Sequence, residues 1–238
     1  GCLLAFSAAD GSFLWQDSSE KLPTGRVHDW PLQGICCAPL VEGDRLWFVT
    51  SRGEVKCLDT AGFRDGENDG PFMNEPVTAD DEADVVWVLD MMKELGVSQH
   101  NMCSCSVTSA GDLLFVTTGN GVDEGHLNLP NAEAPSFLCL DKRDGRVLWA
   151  DASPGANVLH GQWSSPAYAE IEGVPQVLFG GGDGWLYSFD ARGDNGNSKL
   201  LWKFDCNPKE SKYTLGGRAD RNHIIGTPVV HEGLVYIA

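Results

Sequence analysis

Self-similarity at a spacing of about 50 to 70 residues constrains this chain more than any other feature. Residues 3–7 (LLAFS), 55–59 (VKCLD), 137–141 (FLCLD) and 186–190 (LYSFD) alternate apolar positions and stop on Asp or Ser. Alternation with period two marks a strand with one face in a core, and the terminal Asp or Ser supplies turn chemistry. A second element follows the turn, in 10–15 (DGSFLW) and 144–149 (DGRVLW), with looser counterparts ending at Trp87 and Trp202. Asp-Gly between alternating apolar residues signals a tight hairpin, because Gly tolerates the positive φ such a turn demands. The interval from Asp141 to Trp149 equals that from Ser7 to Trp15. Trp15, Trp87, Trp149 and Trp202 are therefore expected to dock each sheet on its neighbour.

The other half of the unit is an apolar stretch around Pro39, Ser106, Pro166 and Pro228, read as the innermost strand, followed by a second strand at 46–50, 113–117, 176–180 and 234–238. Four hairpin-connected strands make a propeller blade. The fold class predicted is all-β: a β-propeller of four-stranded antiparallel blades, partial, with three complete blades and two half blades in a single segment over 1–238. The blades fall at about 35–90, 102–150 and 162–205, and the halves at about 2–16 and 224–238. Insertions near 60–84, 119–135 and 206–223 are rich in Gly, Asp, Asn and Pro and read as surface loops. Residues 91–95 (MMKEL) are compatible with one or two helical turns. Because both ends fall within strand-like alternation, the remaining blades of a larger propeller are expected partners, and exposed strand edges should make the isolated chain self-associate.

Composition narrows the function. Seventeen basic residues stand against 34 acidic ones, a net charge of −17. Affinity for nucleic acid is built from Lys and Arg that displace counterions, so nucleic acid and anionic membrane surfaces are excluded as partners. No window has the ~18 consecutive apolar residues of a membrane helix. The 8 Cys fall mostly in strand-like segments and read as small buried hydrophobes, with one or two bridges open as an alternative in an oxidising compartment.

At FLCLDKRDGRVLW (137–149) and its repeats the chain resembles the quinoprotein alcohol dehydrogenase-like superfamily, whose blades carry PQQ-like repeats ending in an Ala-x-Asp-x-x-x-Gly-x-x-x-Trp docking motif. That superfamily includes pyrroloquinoline quinone (PQQ) dehydrogenases, the propeller lipoprotein of the outer-membrane β-barrel assembly machinery, and many bacterial propellers without a known cofactor. The resemblance does not choose among these; the first reading is a binding or scaffold module in the periplasm or cell envelope, holding a protein, glycan or small-molecule ligand, with catalytic activity of this segment left open. Its alternative is a quinone-dependent dehydrogenase or other redox domain. In the dehydrogenases the quinone stacks on adjacent disulfide-bonded Cys, over a Trp and beside calcium. Cys36-Cys37 is the adjacent pair here, at positions filled by Ser104-Cys105 and Ser164-Ser165 in the next two units, so they read as small strand residues and neither PQQ nor calcium is predicted.

Propeller topology brings the blade-to-blade loops and the loops between second and third strands to one end of the channel, where ligands usually sit. The candidate ligand-binding residues there are Arg52, His100, Asn120, Asp123, Glu124, His126, His160, Asp183 and His223, with His28 in an earlier loop. Two readings stand for the loop histidines: structural clasps to neighbouring backbone, or ligand and metal contacts. The stretch 119–126 (GNGVDEGH) gathers two carboxylates and a His in a Gly-rich loop able to wrap an ion, without the spacing of an EF-hand or a zinc motif. Residues 180–185 (GGGDGW) join two strands and open no helix, so they form no phosphate cradle.

Overall fold

The structure, a computed structural model, describes residues 1–22 and 33–238. His28 lies outside the described residues. The alternating segments become three four-stranded antiparallel sheets: β3 (Leu40–Glu42) to β6 (Val85–Asp90) through β4 (Arg45–Val49) and β5 (Glu54–Asp59); β7 (Thr108–Ala110) to β10 (Val147–Asp151) through β8 (Leu113–Thr117) and β9 (Phe137–Asp141); and β11 (Ala167–Ile171) to β14 (Leu200–Asp205) through β12 (Val174–Gly180) and β13 (Trp185–Asp190). Two two-stranded sheets flank them, β1 (Cys2–Phe6) with β2 (Phe13–Ser18), and β15 (Val229–His231) with β16 (Leu234–Tyr236). Residues Met91–Leu95 form one short helix, α1, capped by the Asp90 side chain accepting from Lys93 N. These are the blades of a propeller, every sheet a meander of sequential neighbours.

Each core lies between consecutive sheets. Trp15, Phe48 and Leu58 fill the first interface, Trp87, Cys105 and Leu138 the second, Trp149, Phe179 and Phe189 the third, and Leu178, Leu186 and Ile224 the fourth. The repeat motif explains how they join. The Asp or Ser ending the third strand accepts from the amide two residues on, in Ser7, Asp59, Asp141 and Asp190, forming an Asx- or ST-type turn. The carbonyl next to that Asp then receives the indole N–H of the preceding blade: Trp15 to Thr60 at 3.0 Å, Trp87 to Lys142 at 3.2 Å, Trp149 to Ala191 at 3.1 Å. The motif Gly seats the same ring. Gly145 sits at φ 73°, and a Cβ added there would stand 2.5 Å from Trp87 Cε3. Trp202 differs, donating to Gln176 Oε1 of its own sheet at 3.1 Å while packing towards Val230 and Val235.

The innermost strands begin one or two residues after Pro39, Ser106, Pro166 and Pro228 rather than around them. Hydrogen bonding gives the reason, because these leader residues bond from blade to blade. Ala38 N donates to Ser106 Oγ, Ser106 N to Ser165 Oγ, Thr108 Oγ1 to the Pro166 carbonyl, and Ser164 Oγ to the Gly226 carbonyl. A girdle of side-chain bonds thus runs from blade to blade at the end from which the candidate loops spring.

Candidate functional site

Three connections and one long strand loop bring histidines to one place. His100 lies between α1 and β7, His160 between β10 and β11, His223 between β14 and β15, and His126 in the loop from β8 to β9. The rings of His100, His126 and His160 stand 4.5–4.9 Å apart, centre to centre. His126 Nε2 and His160 Nε2 are 2.8 Å apart, one donating to the other. His223 stands edge-on to His160 at 5.9 Å. Trp163 is shared by three of them, at 6.2 Å from His100, 5.1 Å from His160 and 5.3 Å from His223. Burial is the main force lowering the His160 pKa, to about 4, with neighbouring His100, His126 and His223 adding to it; burial also lowers that of His223. Near neutral pH, His160 and His223 are therefore uncharged rings with lone pairs to offer.

The loops hold this nest tightly. Val122 N donates to the His160 carbonyl at 2.8 Å, and Trp163 Nε1 to the His100 carbonyl at 3.1 Å. A Cβ on Gly121 would meet the His160 carbonyl at 2.5 Å, and one on Gly216 would meet His126 Cβ at 2.9 Å, so the 206–223 loop lies directly against the nest. Asn101, Met102 and His126 adopt left-handed backbone, with φ of 53°, 73° and 58°. Such conformations cost non-glycine residues ~1–3 kcal/mol each and gather at functional sites. Beside the nest, a depression of about 310 Å³ is lined by Cys36, Asn101, Met102, Ser104, Trp163 and Ile225. Those residues precede β3, β7, β11 and β15, so the depression is the mouth of the channel.

Other candidates are committed elsewhere. Asp123 accepts from Leu127 N, Asn128 N and Asn128 Nδ2, and these bonds, the Asn128 side chain first, hold its carboxyl below the usual range. Glu124 is exposed, its carbonyl facing His126 Nδ1 at 3.1 Å. Asn120 is buried and braces the loops by accepting from Ser98 N and donating to the Asn131 carbonyl. Asp183 is buried, its carboxyl pushed up by burial and bonded to the Tyr187 hydroxyl at 2.6 Å. Arg52 pairs with Glu54 at 3.4 Å. Sequence reading did not single out Trp163; its signal is a Trp three residues after His160, ahead of a strand rather than within one.

A wider cavity of about 370 Å³ lies among the hairpin turns, lined by Glu42, Asp44, Arg45, Trp47, Lys142 and Arg143. Its charges are spent internally: Arg45 on Asp59 and Asp69, Lys142 on Glu42, Arg143 on Asp141. All eight cysteines are free thiols, and burial pushes Cys57 and Cys139 up to about 12, so neither is a reactive thiolate.

No family model and no curated protein sequence matches the chain. Among solved structures it is similar to BamB from Moraxella catarrhalis, with a TM-score of 0.55 and 20% identity over 96% of this chain and 50% of that one. It is also similar to the quinohemoprotein alcohol dehydrogenase ADHIIG from Pseudomonas putida HK5, with a TM-score of 0.51 and 10% identity over 99% of this chain and 35% of that one. The chain thus spans half of the first structure and about a third of the second, and at these identities the likeness is one of fold.

The quinone and calcium chemistry of the dehydrogenases finds a poor match here. Cys36 borders the channel mouth, but Cys37 turns away to donate to the Val49 carbonyl at 3.1 Å. Among the described residues no carboxylate lines that depression, whereas calcium needs several oxygen ligands. The neighbouring donor set is imidazole. Stacked sheets, Asx-turned third strands and indole docking together make the chain a partial β-propeller, the fold it shares with those two structures, with a histidine nest at the end where its blade-connecting loops converge.

Proposed function

We propose that the chain is the binding segment of a propeller exported to the bacterial cell envelope, and that it holds a protein partner at the channel mouth. The observation that carries this reading is the convergence of four histidines and Trp163, drawn from four separate loops, at one end of the sheets. A nest with strained backbone on two of those loops is more than blade packing requires, since the blades are already joined by indole docking and the leader girdle. An apolar depression beside convergent polar groups is the usual form of a binding site. No helix in the described residues is long and apolar enough to cross a membrane.

The test is site-specific photo-crosslinking in the native cell, together with fractionation. A probe at Leu127, 74% exposed on the β8–β9 loop, should yield a discrete adduct. A probe at Asp112, exposed in the β7–β8 turn at the other end of the sheets, should yield none. The protein should fractionate with the envelope. Equal adducts at both positions, an adduct at 112 alone, or recovery in the cytosol would overturn the reading.

A further inference from the structure

We propose that His100, His126 and His160 form a binding site for one transition-metal dication of the zinc class. The proposal deepens the channel-mouth reading and rests on it for its purpose, though its geometry stands alone. One ring nitrogen from each of these residues lies within 4.8 Å of the other two. The ring centres form a nearly equilateral triangle with sides of 4.5, 4.7 and 4.9 Å. Zinc binds imidazole nitrogen at ~2.0–2.1 Å in tetrahedral sites, which puts ligand nitrogens about 3.3 Å apart and ring centres roughly 5 Å apart. The triangle is therefore close to the required size. Binding would require the 2.8 Å His126–His160 contact to open to about 3.3 Å and His100 to be drawn in.

Orientation supports the same ligand set. A ligating imidazole characteristically gives its other N–H to a backbone carbonyl or carboxylate, which fixes the tautomer. His100 Nδ1 is 2.8 Å from the Val122 carbonyl, and His126 Nδ1 is 3.1 Å from the Glu124 carbonyl. With the proton on Nδ1, each presents the Nε2 lone pair. His160 then donates its Nε2–H to His126 without metal; on binding, that proton passes to Nδ1 of the same ring, and no net proton is released. Left-handed backbone at His126 itself, and at the two residues following His100, fixes both approaches.

Donor chemistry selects the ion. Neutral imidazoles suit zinc, copper and nickel, whereas calcium and magnesium need oxygen. The carboxylate of the same loop, Asp123, is held by Leu127 and Asn128. Three protein ligands leave a fourth position for water or for a donor atom of the bound partner.

The experiment is titration of the untagged full chain with Co²⁺, read by its visible absorption, followed by displacement with Zn²⁺. One equivalent should bind, with the intense bands of four-coordinate cobalt and no thiolate charge-transfer band. His126→Ala and His160→Ala should each weaken binding more than about 100-fold, the upper end of what even outer-shell losses cost. Glu124→Gln, whose side chain is exposed, should leave it within a few-fold. Should His100→Ala fail to fold, the half-buried His126 and His160 variants still decide, their folding checked by circular dichroism. Absence of saturable binding, binding that survives both substitutions, or a thiolate band would overturn the site. Crosslinking from Leu127 in the native cell separates the two readings: adducts there without metal binding by the purified chain leave the channel-mouth reading standing and sink this one, and metal binding without adducts does the reverse.

Discussion

Gly145→Ala tests how the blades are joined. The residue is left-handed at φ 73°, and an added Cβ would lie 2.5 Å from Trp87 Cε3 and 2.8 Å from Cδ2. Trp87 is 3% exposed and tied by its indole N–H to Lys142, so it has little room to retreat. Left-handed backbone costs an L-residue ~1–2 kcal/mol, and overpacking a filled core adds ~1–3 kcal/mol. The expected loss is about 2–5 kcal/mol. Gly173→Ala provides the comparison, since Gly173 has φ 77° in the β11–β12 turn and nothing within 4 Å of the added atom. It should cost only the backbone share, ~1–2 kcal/mol. Urea unfolding followed by tryptophan fluorescence, with midpoints compared at constant slope, gives both values. Because each sheet touches only its neighbours, circular dichroism recorded in parallel shows whether the sheets unfold together. Equal costs for the two variants would refute indole docking as the reason for the motif Gly.

Further outcomes follow from the same contacts. His160, with its pKa held at about 4 against an ordinary 6.5, stays neutral in the fold while the unfolded chain takes up a proton. Its contribution is therefore whole above pH 6.5 and lost as pH falls towards 4; melts of chelator-treated protein should show that decline, and His160→Gln should flatten it. Asp141, held at about 2 chiefly by Arg143, stabilises above pH 3.8 and less as pH falls towards 2. Asp141→Ala, which also strands the Arg143 amide, should cost ~1–3 kcal/mol in chemical unfolding, and Asp141→Asn less. Leu4, Phe6 and Phe13 at one end, and Val229, Leu234 and Tyr236 at the other, are each 46–58% exposed, so sedimentation of the isolated chain should show concentration-dependent association; a monodisperse monomer would contradict that.

The repeats were readable because their chemistry is local. An Asp two residues before the amide it captures, an Asp-Gly turn and a Trp at fixed spacing signal the same geometry wherever they recur. The leader segments around Pro39 and Pro166 misled by one or two residues, since their hydrogen bonds run to the neighbouring blade and no spacing within one blade reveals that. The nest was legible in part. His100, His160 and His223 mark themselves by preceding innermost strands, but the meeting of His126 with two of them depends on how Asp123 folds its loop over Asn128. Proximity in sequence paired His126 with Asp123 and Glu124; the fold pairs it with His160, 34 residues away. Trp163 escaped notice because a Trp in a blade-connecting loop has no periodic signature.

Anomalous diffraction at the zinc edge from a crystal of the zinc-loaded chain would locate the ion at the histidine nest or elsewhere. One strong peak per chain is expected, ~2.0–2.1 Å from a ring nitrogen of each of His100, His126 and His160, and it should be lost in crystals of His126→Ala. A peak at cysteine or carboxylate oxygens, or zinc scattered over the surface with none at the nest, would contradict it.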